Sequence, residues 1–483
     1  MDLNTAVRLL EEGQAQPTNT GIVHSREFIS KRTKLFFMVF IGMCLHGIIQ
    51  MNLVVENARY YDCAGGVINS AKEGYVTPFF LTTSLPQILF GRMSDVLGGR
   101  KVFGLSILIV SCVLVIFPAA VQSGIGNIEI DAMRMLMSFL LAPVHSATIN
   151  IMTKWIPPSE RGRFASNLFA CSFGSAIFML IPTKMIRQYG VGVMCYTSAL
   201  FGFIWSIIWF TCISDSPLNH TRISDKEKNY IVESSMKAGT IYDSVSPQWI
   251  DMICTKQVWV IMSADALLTL ASYFSSEPAI IMMIEKANAE NQCWLYSISP
   301  IVTFLVSLIS GLACDYFLSR GIVTVITARK TFTCFAAFAT SIAHSALMLT
   351  GNGWTYKHVL IFEVTNGFIG TSSCGLELAF NDFAPNFAAT LYGITACTSG
   401  LVAFIVMKII SSIDFKDTRA PLDELLCIAI AFSCSGGLLY LVFGKSELVR
   451  WNQHYVAPRS AMRDNRKTNH ILVKRDSSYI RCL

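Results

Sequence analysis

A few ionisable residues stand inside long apolar runs of this sequence, and chemistry is expected there first. They are Arg134, Glu277, Glu363, Glu377, His145, His46 and His344. A charged group at mid-bilayer costs at least about 2.5 kcal/mol on insertion scales, so each needs a reason to be there. A guanidinium such as that of Arg134 can grip a carboxylate or phosphate through two parallel hydrogen bonds. Its plainer role is at an interface, paired with Asp131 or reaching for water. A carboxylate taken out of water holds its proton more tightly, so Glu277, Glu363 and Glu377 are candidates for a coupling proton. Glu277, which precedes Pro278, could equally cap a helix end, and Glu363 could pair with an interface base. Histidine titrates near neutrality, which adds His145 to the proton candidates; hydrogen-bonded packing is the usual role of a lone histidine in a span.

Neutral polar groups fill the next rank. Gln50 and Asn52 can hydrogen-bond a solute without attracting its charge, or can join two helices. Tyr273 can wall a cavity or simply pack. No metal-ligand cluster, phosphate-cradling glycine loop or nucleophile arrangement is apparent. No cofactor, no metal and no enzymatic reaction are therefore expected.

The elements that must position these residues follow from composition. Of 483 residues, 53% are apolar and 14% charged, where a soluble chain carries nearer 25% charge. Mean hydropathy is +0.49. Polar breaks divide the chain into segments long enough to cross a hydrocarbon core of about 30 Å as helices. The expected spans are 35–55, 75–93, 102–122, 130–152, 164–183, 190–213, 257–282, 295–317, 330–350, 358–380, 389–411 and 424–443. The fold class is thus all-α and polytopic, with twelve transmembrane helices. No cleavable signal precedes the first span. Most of the 15 cysteines fall inside spans, where they act as small apolar residues. Cys63 and Cys293 fall in loops on one side and could pair.

Basic residues set the orientation. Loops on one side, including both ends, hold 28 Lys and Arg; the opposite loops hold eight. The positive-inside rule then places both termini in the cytosol. The net charge of +6 is this bias, so no nucleic-acid partner is implied. The basic tail after Arg450 reads as a juxtamembrane segment near anionic lipid. The sequon at Asn219 falls on the cytosolic side and is not expected to be glycosylated.

The chain also repeats itself. The polar stretch 214–256 divides the spans six and six. Its Ser224 and Glu227 have capping-box spacing, which predicts a short surface helix. The segment Gly91-Arg92-Met93-Ser94-Asp95-Val96-Leu97-Gly98-Gly99-Arg100-Lys101 follows the second span, and Gly311-Leu312-Ala313-Cys314-Asp315-Tyr316-Phe317-Leu318-Ser319-Arg320 follows the eighth. Each has a Gly for close helix approach and an Asp four residues on that can hold a basic group at a helix end. Gly91, Asp95, Gly98, Arg100, Lys101 and Asp315 are therefore expected to be structural or gating residues. The organisation is a cytosolic segment 1–34, a six-helix half 35–213, a cytosolic loop 214–256, a second half 257–443 and a basic tail 444–483. Repeated halves suit a carrier with its site between them.

The Gly91-to-Lys101 loop resembles the signature loop of the major facilitator superfamily. Four further stretches resemble its anion:cation symporter family, which includes sodium–phosphate, sialic acid, and vesicular glutamate and nucleotide transporters. They are Lys154-Trp155-Ile156-Pro157-Pro158-Ser159-Glu160-Arg161, Ile223-Ser224-Asp225-Lys226-Glu227-Lys228-Asn229-Tyr230-Ile231, Asp382-Phe383-Ala384-Pro385-Asn386-Phe387-Ala388 with Leu391 and Gly393, and Gly444-Lys445-Ser446-Glu447 before Trp451. With the Gly91-to-Lys101 loop they run in order at loop positions that fit the topology, and the resemblance spans about residues 35 to 451.

The resemblance implies a secondary active carrier of a small organic anion in the bilayer, coupled to H⁺ or the membrane potential. A Na⁺-dependent phosphate carrier is the alternative within the class. A transporter-like sensor that no longer transports is the alternative outside it. Arg134 matches a family arginine and would meet the substrate, with Gln50, Asn52 and Tyr273 around it. The chain also departs from the pattern. Gln50 stands where the family has a span-one arginine, Leu141 where the glutamate branch has an acid, Ile149 where the family has a span-four histidine, and Leu268 near a span-seven arginine of the glutamate branch. Glutamate transport is therefore not expected. Tyr242-Asp243-Ser244-Val245 fits a sorting pattern, and vesicular, lysosomal and plasma membranes all remain compatible.

Overall fold

The computed structural model describes residues 30–55, 82–123, 127–180, 191–241, 247, 249–286, 293–350, 355–411 and 421–453. Cys63 and residues 242–245 lie outside these, as do the side chains of Glu277 and Cys293. The described residues are helical almost throughout, and no strand occurs among them.

Ten stretches among them are long and apolar enough to cross a bilayer. Spans one, three, six, seven, eight, nine, eleven and twelve are single helices: Lys31–Val55, Gly99–Gln122, Val191–Cys212, Lys256–Lys286, Ile298–Ser319, Val325–Met348, Ala388–Ser411 and Pro421–Phe443. Span two is described over its last part, Gln87–Leu97.

Spans four, five and ten were expected to be continuous, and the structure breaks each of them. Span four is Asn127–Leu141 followed by Pro143–Trp155, because Pro143 has no N–H to extend the ladder. Span five is Arg161–Ala165, a 3-10 turn Ser166–Phe169, and Ala170–Met179. Span ten is Tyr356–Asn366, then 3-10 turns Gly367–Cys374 and Leu376–Leu378, then Ala379–Phe383. A 3-10 helix has three residues per turn, so Gly367 and Gly370 share one ridge. That ridge lies on span eight so closely that a methyl at Gly370 would overlap the Thr303 carbonyl.

Polar side chains in the spans mostly bond their own helix. Ser106, Ser111, Thr148, Thr340 and Ser341 each donate to the carbonyl four residues back, which satisfies them without water. The outer surface is apolar, with Ile116, Leu200, Ile207 and Ile342 exposed, as a lipid-facing surface requires. The helices cross the bilayer many times, and the fold is that of a multi-pass membrane protein.

Span one packs on spans five and six, and span three on four and six; span seven packs on eleven and twelve, and span ten on eight and nine. The first and second sets of six meet chiefly where span two lies on eleven and span five on eight. The first and last described residues share one face with the 225–237 surface helix. There Arg32 pairs with Glu160 and Glu227, and the Asn386 amide donates to Gly239 and Asn452 carbonyls. The surface helix is Asp225–Lys237, capped as expected by Ser224, whose hydroxyl accepts the Glu227 N–H. The Glu227 carboxylate does not close the box; it takes the Arg32 side chain instead.

Candidate substrate and coupling site

Two adjoining cavities of about 160 and 210 Å³ lie in the middle of the bundle and share Asp265, Thr269, Leu376 and Glu377 in their walls. Span seven brings Asp265, and the irregular part of span ten brings Glu377. Spans nine, eleven and twelve complete the walls, with Phe169 of span five and Ser84 of span two contributed by the first six spans. The site therefore touches both sets of six. Asp265 accepts a hydrogen bond from the Ser399 hydroxyl at 2.5 Å, and Asp265 and Glu377 both face both cavities. Around them stand His344, Asn366, Tyr273 and Tyr392. Among the described residues, no Lys or Arg lines either cavity.

The structure places the expected site residues in several different surroundings. Tyr273 and Glu377 line the cavities. Asn52 does not: it is fully buried, with its amide donating to the Ile48 carbonyl and the Ser198 hydroxyl at 3.0 and 2.9 Å. The bond to Ser198 joins spans one and six. Gln50 is half-buried on the same helix. Arg134 pairs with Asp131 at 3.0 Å and lies over the Phe117 ring, away from both cavity walls. Glu363 is fully buried against the first turn of span eight, and neither carboxyl oxygen makes a well-formed hydrogen bond. His145 packs edge-on against His46, 5.1 Å between ring centres, with its Nε2 3.7 Å from the Cys171 sulfur. His344 stacks on Phe362.

Sequence reasoning missed Asp265, although an aspartate within the apolar run of span seven was a signal in plain view. Ser399 and Tyr392 carried no comparable signal, since hydroxyls are frequent in spans and only their placement selects them.

The residues expected to act in gating form two matching latches on the face that carries the termini. Asp95 accepts the Asn150 amide of span four, and the Thr390 N–H and hydroxyl at the first turn of span eleven. Asp315 accepts the Gly162 and Arg163 N–H groups at the first turn of span five, at 2.8 and 2.9 Å. Each carboxylate thus sits at the positive end of a helix from the other set of six. Gly91 lies against the Ala389 backbone. Gly98 takes φ +94°, which a side chain disfavours, and Asp215 occupies the space that a Cβ there would need. The Arg100 N–H donates to that same Asp215, while Lys101 is exposed. Two buried arginines complete this layer. Arg161 donates to the Asn381 carbonyl at 2.9 Å, and Arg329 makes a two-bond pair with Asp382 at 2.6 and 3.3 Å.

Among solved structures, the chain is similar to XylE, a xylose transporter from E. coli, in a partially occluded inward-open conformation. The TM-score is 0.57 at 14% identity, over 85% of this chain and 97% of that one. It is likewise similar to a human organic anion transporter, with a TM-score of 0.56 at 12% identity over 85% and 99% of the two chains. These likenesses concern the fold. Among curated sequences, it is 26% identical to vesicular glutamate transporter 2.2 of Danio rerio over 77% of this chain, a match that spans 64% of that protein's length. It is 24% identical to mouse sodium-dependent phosphate transport protein 1, over 84% and 86% of the two chains, and 23% identical to sheep sialin, over 87% and 91%. The family model described as Major Facilitator Superfamily matches residues 35–407. The chain belongs to the major facilitator superfamily, a family of transporters and not of enzymes.

Proposed function

We propose that this protein is a secondary active carrier that moves a small organic anion together with protons, its two sets of six spans rocking about the cavity between them. One observation carries the reading: the Asp265–Glu377 pair stands in a cavity whose described walls hold no Lys or Arg. An anion about 5 Å from an ionised carboxylate, at an effective dielectric of about 20, meets a repulsion of about 3 kcal/mol. That weakens binding by more than a hundredfold for each ionised group. Protonating the pair removes this penalty, so proton and anion load together. This linkage is what a symporter requires, and it needs no arginine at the site. The named activities of the relatives, phosphate and glutamate transport, support the anion class. Both termini then face the cytosol, in line with the basic residues of that side.

A second reading rests on the same observation. If the pair stays ionised, the cavity attracts an organic cation, and proton and cation compete. The carrier would then be an exchanger.

The test is uptake into proteoliposomes holding the full chain, with a panel of organic anions, inorganic phosphate and organic amines. Gradients of pH, Na⁺ and voltage are imposed separately. Anion uptake driven by an inward proton gradient supports symport. Amine uptake driven by an outward proton gradient supports exchange. Saturable flux of phosphate driven by Na⁺ alone, or no saturable flux at all, overturns both.

A further inference from the structure

The irregular part of span ten does more than pack closely on its neighbours. From Gly367 to Cys374 it runs as a 3-10 helix, in which side chains three residues apart eclipse one another. The segment is therefore a three-sided rod, and its sides have different neighbours. Gly367, Gly370 and Ser373 lie on span eight, where Ser373 takes the Ser307 hydroxyl at 2.7 Å. Phe368 and Thr371 face span nine, the first against the Phe335 ring and the second donating to the Phe332 carbonyl. The third side is Asn366, Ile369 and Ser372, and all three line the cavity of about 160 Å³.

An α-helix could not present this side. At 3.6 residues per turn, Asn366 and Ser372 would stand roughly 120° apart around the axis and would not share a wall. The 3-10 course, at about 2.0 Å per residue, sets them roughly 12 Å apart along one line with Ile369 between. The ridge is thus an amide, an apolar patch and a hydroxyl in a row. Asn366 and Ser372 are 8% and 6% exposed, and among the described residues neither side chain is hydrogen-bonded to another group. By contrast, the Thr340, Ser341 and Ser433 hydroxyls of the same cavity donate to the Ala336 and Ala337 carbonyls. A buried polar group without a partner is costly, so the ridge keeps its donors for what the cavity holds.

We propose that the Asn366–Ile369–Ser372 ridge sets the specificity of the carrier, selecting an organic ion that bears a neutral hydrogen-bonding group, a hydroxyl or an amide, beside a short carbon chain. The proposal rests on the central cavities being the transport site. Neither ridge group is charged, so the ridge reads the neutral body of the solute, while the Asp265–Glu377 pair governs its charge. A site that hydrogen-bonds a hydroxyl rejects the analogue lacking it, because the site's own polar groups are then stranded.

Two measurements on the full chain test it. Uptake into proteoliposomes compares matched pairs: lactate with propionate and 3-hydroxybutyrate with butyrate under an inward proton gradient, and ethanolamine with ethylamine under an outward one. The wild type is expected to favour the hydroxylated member in apparent affinity, roughly 2- to 12-fold for each hydrogen bond it adds. Asn366→Leu and Ser372→Ala should raise KM for the hydroxylated member by that factor with little effect on the maximal rate, and Ser372→Thr should keep the preference. Should Asn366→Leu fail to insert, Ser372→Ala alone reads the same factor. The second measurement needs no flux. In Asn366→Cys, Ile369→Cys and Ser372→Cys the new thiol should react with a small methanethiosulfonate, giving one adduct by mass beyond those of the wild type, while Thr371→Cys and Ser373→Cys should add none. Labelling that does not follow this period of three overturns the proposal. So does an equal preference in wild type and in Asn366→Leu with Ser372→Ala. A hydroxyl preference seen with the amines alone supports the ridge and removes the anion reading of the carrier. Absence of flux for every pair overturns both.

Discussion

Asp95 on span two accepts both the backbone N–H of Thr390, at 2.9 Å, and its hydroxyl, at 2.6 Å, so one carboxylate holds the first turn of a helix from the other set of six. Hydrogen bonds to a charged group contribute about 1.5–3 kcal/mol each. Losing two should weaken the closure of the termini face substantially, without emptying the core. Asp95→Ala is expected to raise amide hydrogen exchange at 388–392 by one to two orders of magnitude, and to slow transport at normal membrane density. Unchanged protection there would mean that the latch contributes nothing to closure.

Asp315 should behave as its counterpart. Its partners are the N–H groups of Gly162 and Arg163, so Asp315→Ala should expose 161–165 in the same assay and leave 388–392 protected. The double variant should lose closure at both seams. If either single variant deprotects both seams equally, the two latches act as one unit.

The Arg329–Asp382 pair is a different kind of contact. Arg329 is 1% exposed and also donates to the Cys374 carbonyl at 2.8 Å. Removing one partner strands a buried charge, at about 3–5 kcal/mol. Asp382→Leu is expected to lower the melting temperature in detergent sharply, and combining it with Arg329→Met should recover much of the loss. Failure of the double variant to recover would show that Arg329 matters through the Cys374 carbonyl instead.

The sequence made the outline of the fold legible because lipid imposes a simple code: long apolar runs, basic loops on one side, and glycine-aspartate loops repeated at Asp95 and Asp315. It hid the breaks. Pro143 was visible, but nothing local marked the 3-10 course of span ten, which depends on how Gly367 and Gly370 meet span eight. The site was half legible for the same reason. Glu377 and Tyr273 could be nominated by residue type, yet which of several membrane carboxyls share a cavity depends on helix rotation, which sequence spacing leaves open. Asn52 shows the converse, since its side chain alone does not tell a substrate contact from a bond between helices.

The topology can be checked directly. Residues 30–32, the 225–237 helix and residues 450–452 share one face, so tags at residues 1 and 483 should be cleaved together or protected together in sealed vesicles. Cleavage from the cytosolic side supports the orientation proposed from Lys and Arg. Opposite accessibility of the two ends would rule out an even number of spans.

The coupling reading is tested where Asp265, Glu377 and Arg134 give different results. If Asp265 and Glu377 share the coupling proton, Glu377→Gln places a neutral group in the cavity for good. Uptake should then lose its response to an imposed pH gradient, while exchange of substrate across the membrane survives, because exchange needs only the loaded carrier to reorient. Asp265→Asn should act in the same direction, and the double variant should add little, since the two groups serve one step. Arg134 lies outside both cavity walls and is held by Asp131. Arg134→Gln should therefore leave the apparent affinity within about twofold, where loss of a charge-assisted substrate contact would weaken it roughly 10- to 150-fold. The measurements are saturation uptake and counterflow for each variant, at fixed voltage and with and without a pH gradient. Intact pH-driven uptake in Glu377→Gln and Asp265→Asn would remove the pair from coupling and turn attention to the buried Glu363 and to His145. A large affinity loss in Arg134→Gln would place the substrate's charge on span four instead, among the first six spans.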